Sequence, residues 1–153
     1  MTYTLNQKNA HLRPWKYLGI IIGRGQIRMD PIKTQGVVMW EAPTNLTEAW
    51  GFVGFLNFYQ RFIKGFLKLT QPLHNLTKMG VQWRWTQIEQ DTFEALKAAV
   101  AEEPVLLFLQ MTKPFKMEVD ASTITIGTVL NQKGEDGKIH PVAYYSESFS
   151  ATE

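Results

Sequence analysis

Two carboxylates, Glu118 and Asp120, are the residues of this 153-residue chain best placed for metal chemistry. In an extended strand such a pair lies on one face and could give oxygen ligands to a hard cation, although a solvated strand face has the same pattern. Other candidates are few. The chain has no cysteine, which excludes disulfides, thiolate nucleophiles and cysteine-built zinc sites together, and His11, His74 and His140 are scattered. Gly23-Arg24-Gly25 lacks the later glycine and the helix that a phosphate loop needs, and no Ser/His/Asp set or metal-binding helix motif is present. The residues show no complete active site.

A second pattern is one of shape. Thr44 and Asn45 are competent N-caps, Glu48 is placed to close a capping box on Asn45, and apolar periodicity runs to about Phe66, which predicts a central helix over 45–66. Leu46, Ala49, Val53, Leu56 and Ile63 form an aliphatic stripe on it, and Phe52, Phe55, Tyr59, Phe62 and Phe66 an aromatic one, both suited to a core. The third face holds Trp50, Gly51, Gly54, Asn57, Phe58, Arg61 and Gly65. Each glycine costs a helix about 1 kcal/mol, so something should approach the backbone there. Either a second helix or the shallow minor groove of a nucleic-acid duplex fits that requirement.

The elements around this helix follow from local signals. Trp15 to Ile22 reads as a strand, Gly23-Arg24-Gly25 as a turn and Gln26 to Met29 as the return of a hairpin, after which Asp30-Pro31 opens a helical turn through Thr34 to Trp40. A shorter helix fits between Leu67 and Gly80 with Pro72 in its first turn. The Thr86/Glu89 capping box then starts a helix over about 87–102, with Ile88, Phe93, Leu96 and Val100 on one face. After Pro114 the period becomes two, predicting a half-buried strand in which Phe115, Met117, Val119 and Ala121 alternate with polar residues. Gly127 to Gln132 and Ile139 to Tyr145 complete an antiparallel meander.

Charge divides the chain. Residues 1–83 hold ten Lys/Arg against three Asp/Glu, a net of +7, whereas residues 84–153 hold six against eleven, a net of −5. A basic half favours a polyanion, and an acidic half suits a metal or a solvated face. The longest apolar run, Tyr17 to Ile22, is far short of the roughly 20 residues of a membrane helix. The expectation is an intracellular protein, cytoplasmic or nuclear, without a membrane partner.

Ordered motifs carry a resemblance. Tyr17-Leu18-Gly19, Ile27-Arg28-Met29-Asp30-Pro31 and the run from Gly54 to Ile63 resemble the gypsy-type LTR retrotransposon reverse transcriptase region that follows the palm. Pro72-Leu73, Trp83-Arg84-Trp85, Phe93-Glu94-Ala95-Leu96-Lys97 and Pro104-Val105-Leu106 are similar to the connecting segment. Val119-Asp120-Ala121-Ser122 and His140-Pro141-Val142-Ala143-Tyr144-Tyr145-Ser146 are similar to the start of the family's ribonuclease H domain. The likeness covers residues 15–153.

The resemblance implies an α+β chain with a palm remnant carrying a primer-grip-like hairpin at 1–32, a helical thumb and connection at 33–112, and at 113–153 the N-terminal part of an RNase H-like domain as a three-stranded antiparallel meander. It implies that the thumb helix follows the minor groove of an RNA/DNA hybrid or DNA duplex. Tyr17, Leu18 and Gly19 would form the grip, Gly54 would let the duplex approach, Asn57 and Arg61 would donate to sugar or phosphate, and Trp50 and Phe58 would line the groove. At Trp50-Gly51 the chain departs from the polar or basic residue and serine of family members, and Phe52-Val53-Gly54 replaces Phe-Leu-Gly. Asp120, weakly helped by Glu118, is implied as the first ribonuclease H carboxylate, where the parent enzyme binds magnesium. The other carboxylates are expected outside the chain, as part of a larger Pol polyprotein, so no polymerase or nuclease activity and no tightly bound metal are expected of this chain alone. A host-retained protein-interaction module, and an RNase H completed by another chain, are the alternatives. A meander with one uncovered face and an unpaired edge is expected to be weakly stable or self-associating, with rapid amide exchange confined to residues 115–146.

Overall fold

The computed structural model describes residues 14–149; the expectations for His11 and for the ends of the chain lie outside them. Three short strands, β1 (Trp15–Tyr17), β2 (Ile20–Gly23) and β3 (Gln26–Met29), form an antiparallel meander. The single strand expected over Trp15–Ile22 is thus two strands, because Leu18 and Gly19 both take positive φ (48° and 77°) and reverse the chain. That pair of angles is the signature of the tight turn whose twist matches antiparallel strands. β4 (Val105–Leu107), which sequence reading left without structure, pairs with β3 as the fourth strand and buries Leu106 completely.

Asp30 caps helix α1 (Pro31–Val38) by accepting the Ile32 N–H at 3.1 Å, with Pro31 in the first turn, where its missing N–H costs nothing. Helix α2 (Leu46–Phe58) is capped by Asn45, whose Oδ1 accepts the Glu48 N–H at 3.0 Å. The expected capping box is displaced by one residue: Glu48 accepts from the backbone N–H and hydroxyl of Thr44 at 2.7 and 2.9 Å, not from the Asn45 backbone N–H. The Thr44 N–H, then its hydroxyl, holds the Glu48 carboxyl below its ordinary range.

The central helix does not run to Phe66. It stops at Phe58, a 3₁₀ turn covers Gln60–Phe62, Gly65 takes a left-handed conformation (φ 63°), and helix α3 (Phe66–Leu76) begins in a new direction. Pro72 lies inside α3 and not in its first turn. Helix α4 (Gln87–Ala101) starts on the expected Thr86/Glu89 capping box and buries Thr92, Phe93, Leu96 and Val100, while Ile88 is exposed.

One core joins these parts. Phe52, Leu56, Tyr59, Phe62 and Phe66 pack with Leu73, Phe93, Leu96, Val100 and Leu106, and Trp40 stands edge-on to Phe52 at 5.5 Å. The aliphatic and aromatic stripes of the central segment are therefore core, except Leu46, which is exposed.

The second sheet, β5 (Phe115–Ala121), β6 (Thr125–Lys133) and β7 (Ile139–Ser148), has the order β5-β6-β7. Asp120 is opposite Gly127 and Gly127 opposite Ser146; Glu118 is opposite Val129 and Val129 opposite Tyr144. The polar side of β5 consequently shares the face that carries Tyr144 onto the core. Its apolar side shares the outer face, so the half-buried strand of the sequence reading is instead exposed along its whole length, with Phe115, Met117 and Val119 all uncovered.

The first turn and the end of α2 are fastened to each other. The Gly19 carbonyl accepts the Asp30 N–H at 2.8 Å and lies 3.5 Å from the Tyr59 hydroxyl, and a Cβ at residue 19 would stand 2.2 Å from that hydroxyl oxygen. Burial, then the Asp30 charge, pushes the Tyr59 phenol up, which keeps it a neutral donor. Gly19→Ala should cost about 2–4 kcal/mol in urea unfolding, from the positive φ and the overpacking. Tyr59→Phe should cost under about 1 kcal/mol alone and should recover part of the Gly19→Ala loss in the double variant; strictly additive losses would contradict the contact. Sedimentation velocity should show concentration-dependent association through β5, abolished by Met117→Lys, with fast exchange of the outward β5 amides. A concentration-independent monomer with protected β5 amides would contradict it.

Candidate nucleic-acid interface

The side of α2 away from the core is a bare strip of backbone between two aromatic walls. Gly51 and Gly54 would each have open space around an added Cβ, with no atom within 4 Å. Trp50 and Phe58 flank them at 59 % and 51 % exposure, and Asn57 and Arg61 are exposed. Among the described residues no second helix covers this face, so the helix-packing explanation of the glycines finds no partner within them.

The structure brings most of the predicted residues together. Tyr59 contacts Phe58 edge-on at 4.9 Å and reaches Gly19, so the exposed Tyr17 and Leu18 stand beside the C-terminal end of α2. Trp50 lies about 12 Å back along the helix from Phe58, at 1.5 Å per residue. Arg61 is in the 3₁₀ turn and not on a continuous α-helix, which places it past the end of the strip. It takes part in no ion pair among the described residues. Lys64 and Lys68 follow it, both exposed, and extend the positive charge beyond the helix. Sequence reading missed these two lysines, because only the reversal at Gly65 carries them onto the same flank as Asp120.

Asp120 and Glu118 lie elsewhere, in a cleft of about 320 Å³ lined also by Lys64, Gly65, Val119, Gly127, Thr128 and Val129. Glu118 is paired with Lys116 at 2.8 Å, and the Lys116 hydrogen bond, then its charge, holds the carboxyl below its ordinary range. That leaves Asp120 as the cleft's one carboxylate without an ion-pair partner among the described residues. No group of three His, Cys, Asp or Glu among the described residues is placed to hold a metal. The donor set among the described residues does not fit a two-magnesium centre, which needs carboxylates enough to bridge both ions. No described helix is long and apolar enough to cross a membrane.

Known proteins share this chain's sequence pattern and fold. Residues 85–153 match the RNase H-like domain found in reverse transcriptase. Transposon Tf2-3 and Tf2-4 polyproteins of Schizosaccharomyces pombe are each 38% identical over 140 residues, 92% of this chain and 10% of theirs. The chain thus spans about a tenth of the length of these relatives. The fold is shared with the foamy viral protease-reverse transcriptase solved with double-stranded DNA (TM-score 0.72, 23% identity, 92% of this chain and 25% of that one). It is likewise shared with that protein solved with an RNA/DNA hybrid (TM-score 0.71, 23% identity, 92% and 19%). The likeness runs from the first strands to the second sheet, and the chain belongs with the gypsy-type LTR retrotransposon Pol polyproteins, as a segment of their reverse transcriptase and RNase H-like region.

Proposed function

We propose that this chain grips an RNA/DNA hybrid or DNA duplex along the outer face of α2, as one part of a larger Pol polyprotein. The observation that carries the proposal is the uncovered Gly51–Gly54 backbone between Trp50 and Phe58. A wide, shallow minor groove can settle on such a strip, where side chains would hold it off. Asn57 donates to sugar or phosphate, and Arg61 forms a charge-assisted contact with a phosphate at the rim. Tyr17, Leu18 and Gly19 meet the same strand end, because the Tyr59 contact fixes their turn against the helix. The foamy viral relatives of this fold were solved on double-stranded DNA and on an RNA/DNA hybrid, which supports a duplex as the ligand. Asp120 marks where the RNase H-like sheet would meet the strand, with catalysis dependent on carboxylates supplied from elsewhere in the polyprotein.

Anisotropy titration of a labelled RNA/DNA hybrid at several salt concentrations tests this reading. Affinity should fall with salt on a log–log slope of about −0.7 to −0.9 per phosphate contact. Gly54→Leu with Arg61→Ala should weaken binding at least about tenfold, roughly 1.4 kcal/mol. The leucine should meanwhile raise the melting temperature, since glycine is a poor helix former. A salt-insensitive titration, or equal binding by the variant, would overturn the proposal in favour of a protein partner for this face.

A further inference from the structure

The start of α3 is an unusual helix end. Gly65 has no side chain to cap it, the first turn holds no acidic residue, and the first backbone bond of the helix is from the Leu69 N–H to the Gly65 carbonyl at 2.9 Å. The N–H groups of Phe66, Leu67 and Lys68 are left for an outside acceptor, and the helix dipole favours a negative one.

A second observation points at the same place from the opposite wall. Ser146 on β7 is 9 % exposed, and its Oγ is fully buried without a hydrogen-bond partner among the described residues. It lines one small cavity with Gly65, Lys68, Asp120 and Gly127, large enough for a single oxygen-sized group. A buried hydroxyl without a partner is costly unless something reaches it. The neighbouring Ser122 hydroxyl, by contrast, already accepts the Thr125 N–H at 3.0 Å. Gly65, Asp120 and Gly127 also line the larger cleft, and at Gly127 an added Cβ would find only the Asp120 carbonyl oxygen, at 3.7 Å. Lys64, Lys68 and Lys116 stand around this corner against Glu118 and Asp120, a balance of three positive to two negative charges that one phosphodiester would complete.

We infer that this corner is a phosphate subsite, in which the first-turn amides of α3, Lys68 and the Ser146 hydroxyl hold one backbone phosphate of a nucleic-acid strand beside Asp120. One phosphate oxygen occupies the cavity at Ser146, and the others face the helix end and the open cleft. The subsite rests on the duplex-binding reading for its ligand, yet it is separate from the α2 face and is tested without it.

The probe is thymidine 3′,5′-bisphosphate, too short to span α2, titrated into ¹⁵N-labelled protein. Saturable shifts are expected at the Phe66, Leu67 and Lys68 amides, with Gly51 and Gly54 unmoved. Lys68→Gln and Ser146→Ala should each weaken the probe by about tenfold, the scale of one lost charge-assisted hydrogen bond. Ser146→Ala should keep or raise the melting temperature, because it deletes a buried hydroxyl that has no partner, and Gly127→Val should block the probe by narrowing the cleft. Absence of shifts at residues 66–68, or unchanged affinity in both Lys68→Gln and Ser146→Ala, would overturn the subsite. If hybrid binding persists in that case, the α2 reading stands alone; probe binding without hybrid binding would uphold the subsite and sink that reading.

Discussion

The contact between Tyr59 and Gly19 is the constraint on which the arrangement of this surface depends. The ring reaches a carbonyl forty residues earlier in the chain at the point where the helix ends. Tyr59 leaves helical geometry (φ −101°, ψ 13°), its ring packs on Phe55 at 5.3 Å and Phe58 at 4.9 Å, and the chain turns through Gln60–Phe62 into α3. Only glycine at position 19 allows the approach, because of both its positive φ and the space its missing side chain leaves. The same fastening sets the Leu18-Gly19 turn beside the end of α2, while the reversal at Gly65 brings Lys64 and Lys68 beside the second sheet.

From that junction outward, the molecule has two faces with opposite characters. Toward the core, Phe52 meets Phe93 at 4.7 Å and Trp40 at 5.5 Å, an aromatic packing that holds α2 rigid. Away from it, the glycines leave the helix backbone open, and rigidity behind an open strip is what a shape-reading surface needs. The cost of the glycines to helix stability is about 1 kcal/mol each and is offset by the packing on the other side. The second sheet hangs from this body by β7, whose Tyr144 packs onto the core, and it leaves β5 uncovered at the far edge.

Much of this was legible in the residues because the signals were local. The Thr86/Glu89 box, the third face of α2 and the period-two alternation of β5 each depend on neighbours within a few positions. What was not legible depended on distant partners. Nothing near Val105 announces a strand, since β4 exists through pairing with β3, nearly eighty residues earlier. Apolar periodicity alone could not show that the helix breaks at Tyr59, because both helices bury the same residue types. The alternation of β5 identified its two sides correctly but not which one faces the core; register with β6 and β7 decides that, and it turns the apolar side outward. Glu118 and Asp120 were correctly placed on one face, but the pairing of Glu118 with Lys116 and the approach of Lys64 follow from tertiary structure.

In the proposed function the Leu18-Gly19 turn and the glycine face of α2 form one duplex-gripping surface. Titrating an RNA/DNA hybrid into ¹⁵N-labelled protein and following the Gly19, Gly51 and Gly54 amides tests it directly. All three signals should move along a single saturation curve whose midpoint rises with salt. Shifts confined to β5, or a Gly19 signal that stays fixed while α2 responds, would contradict it.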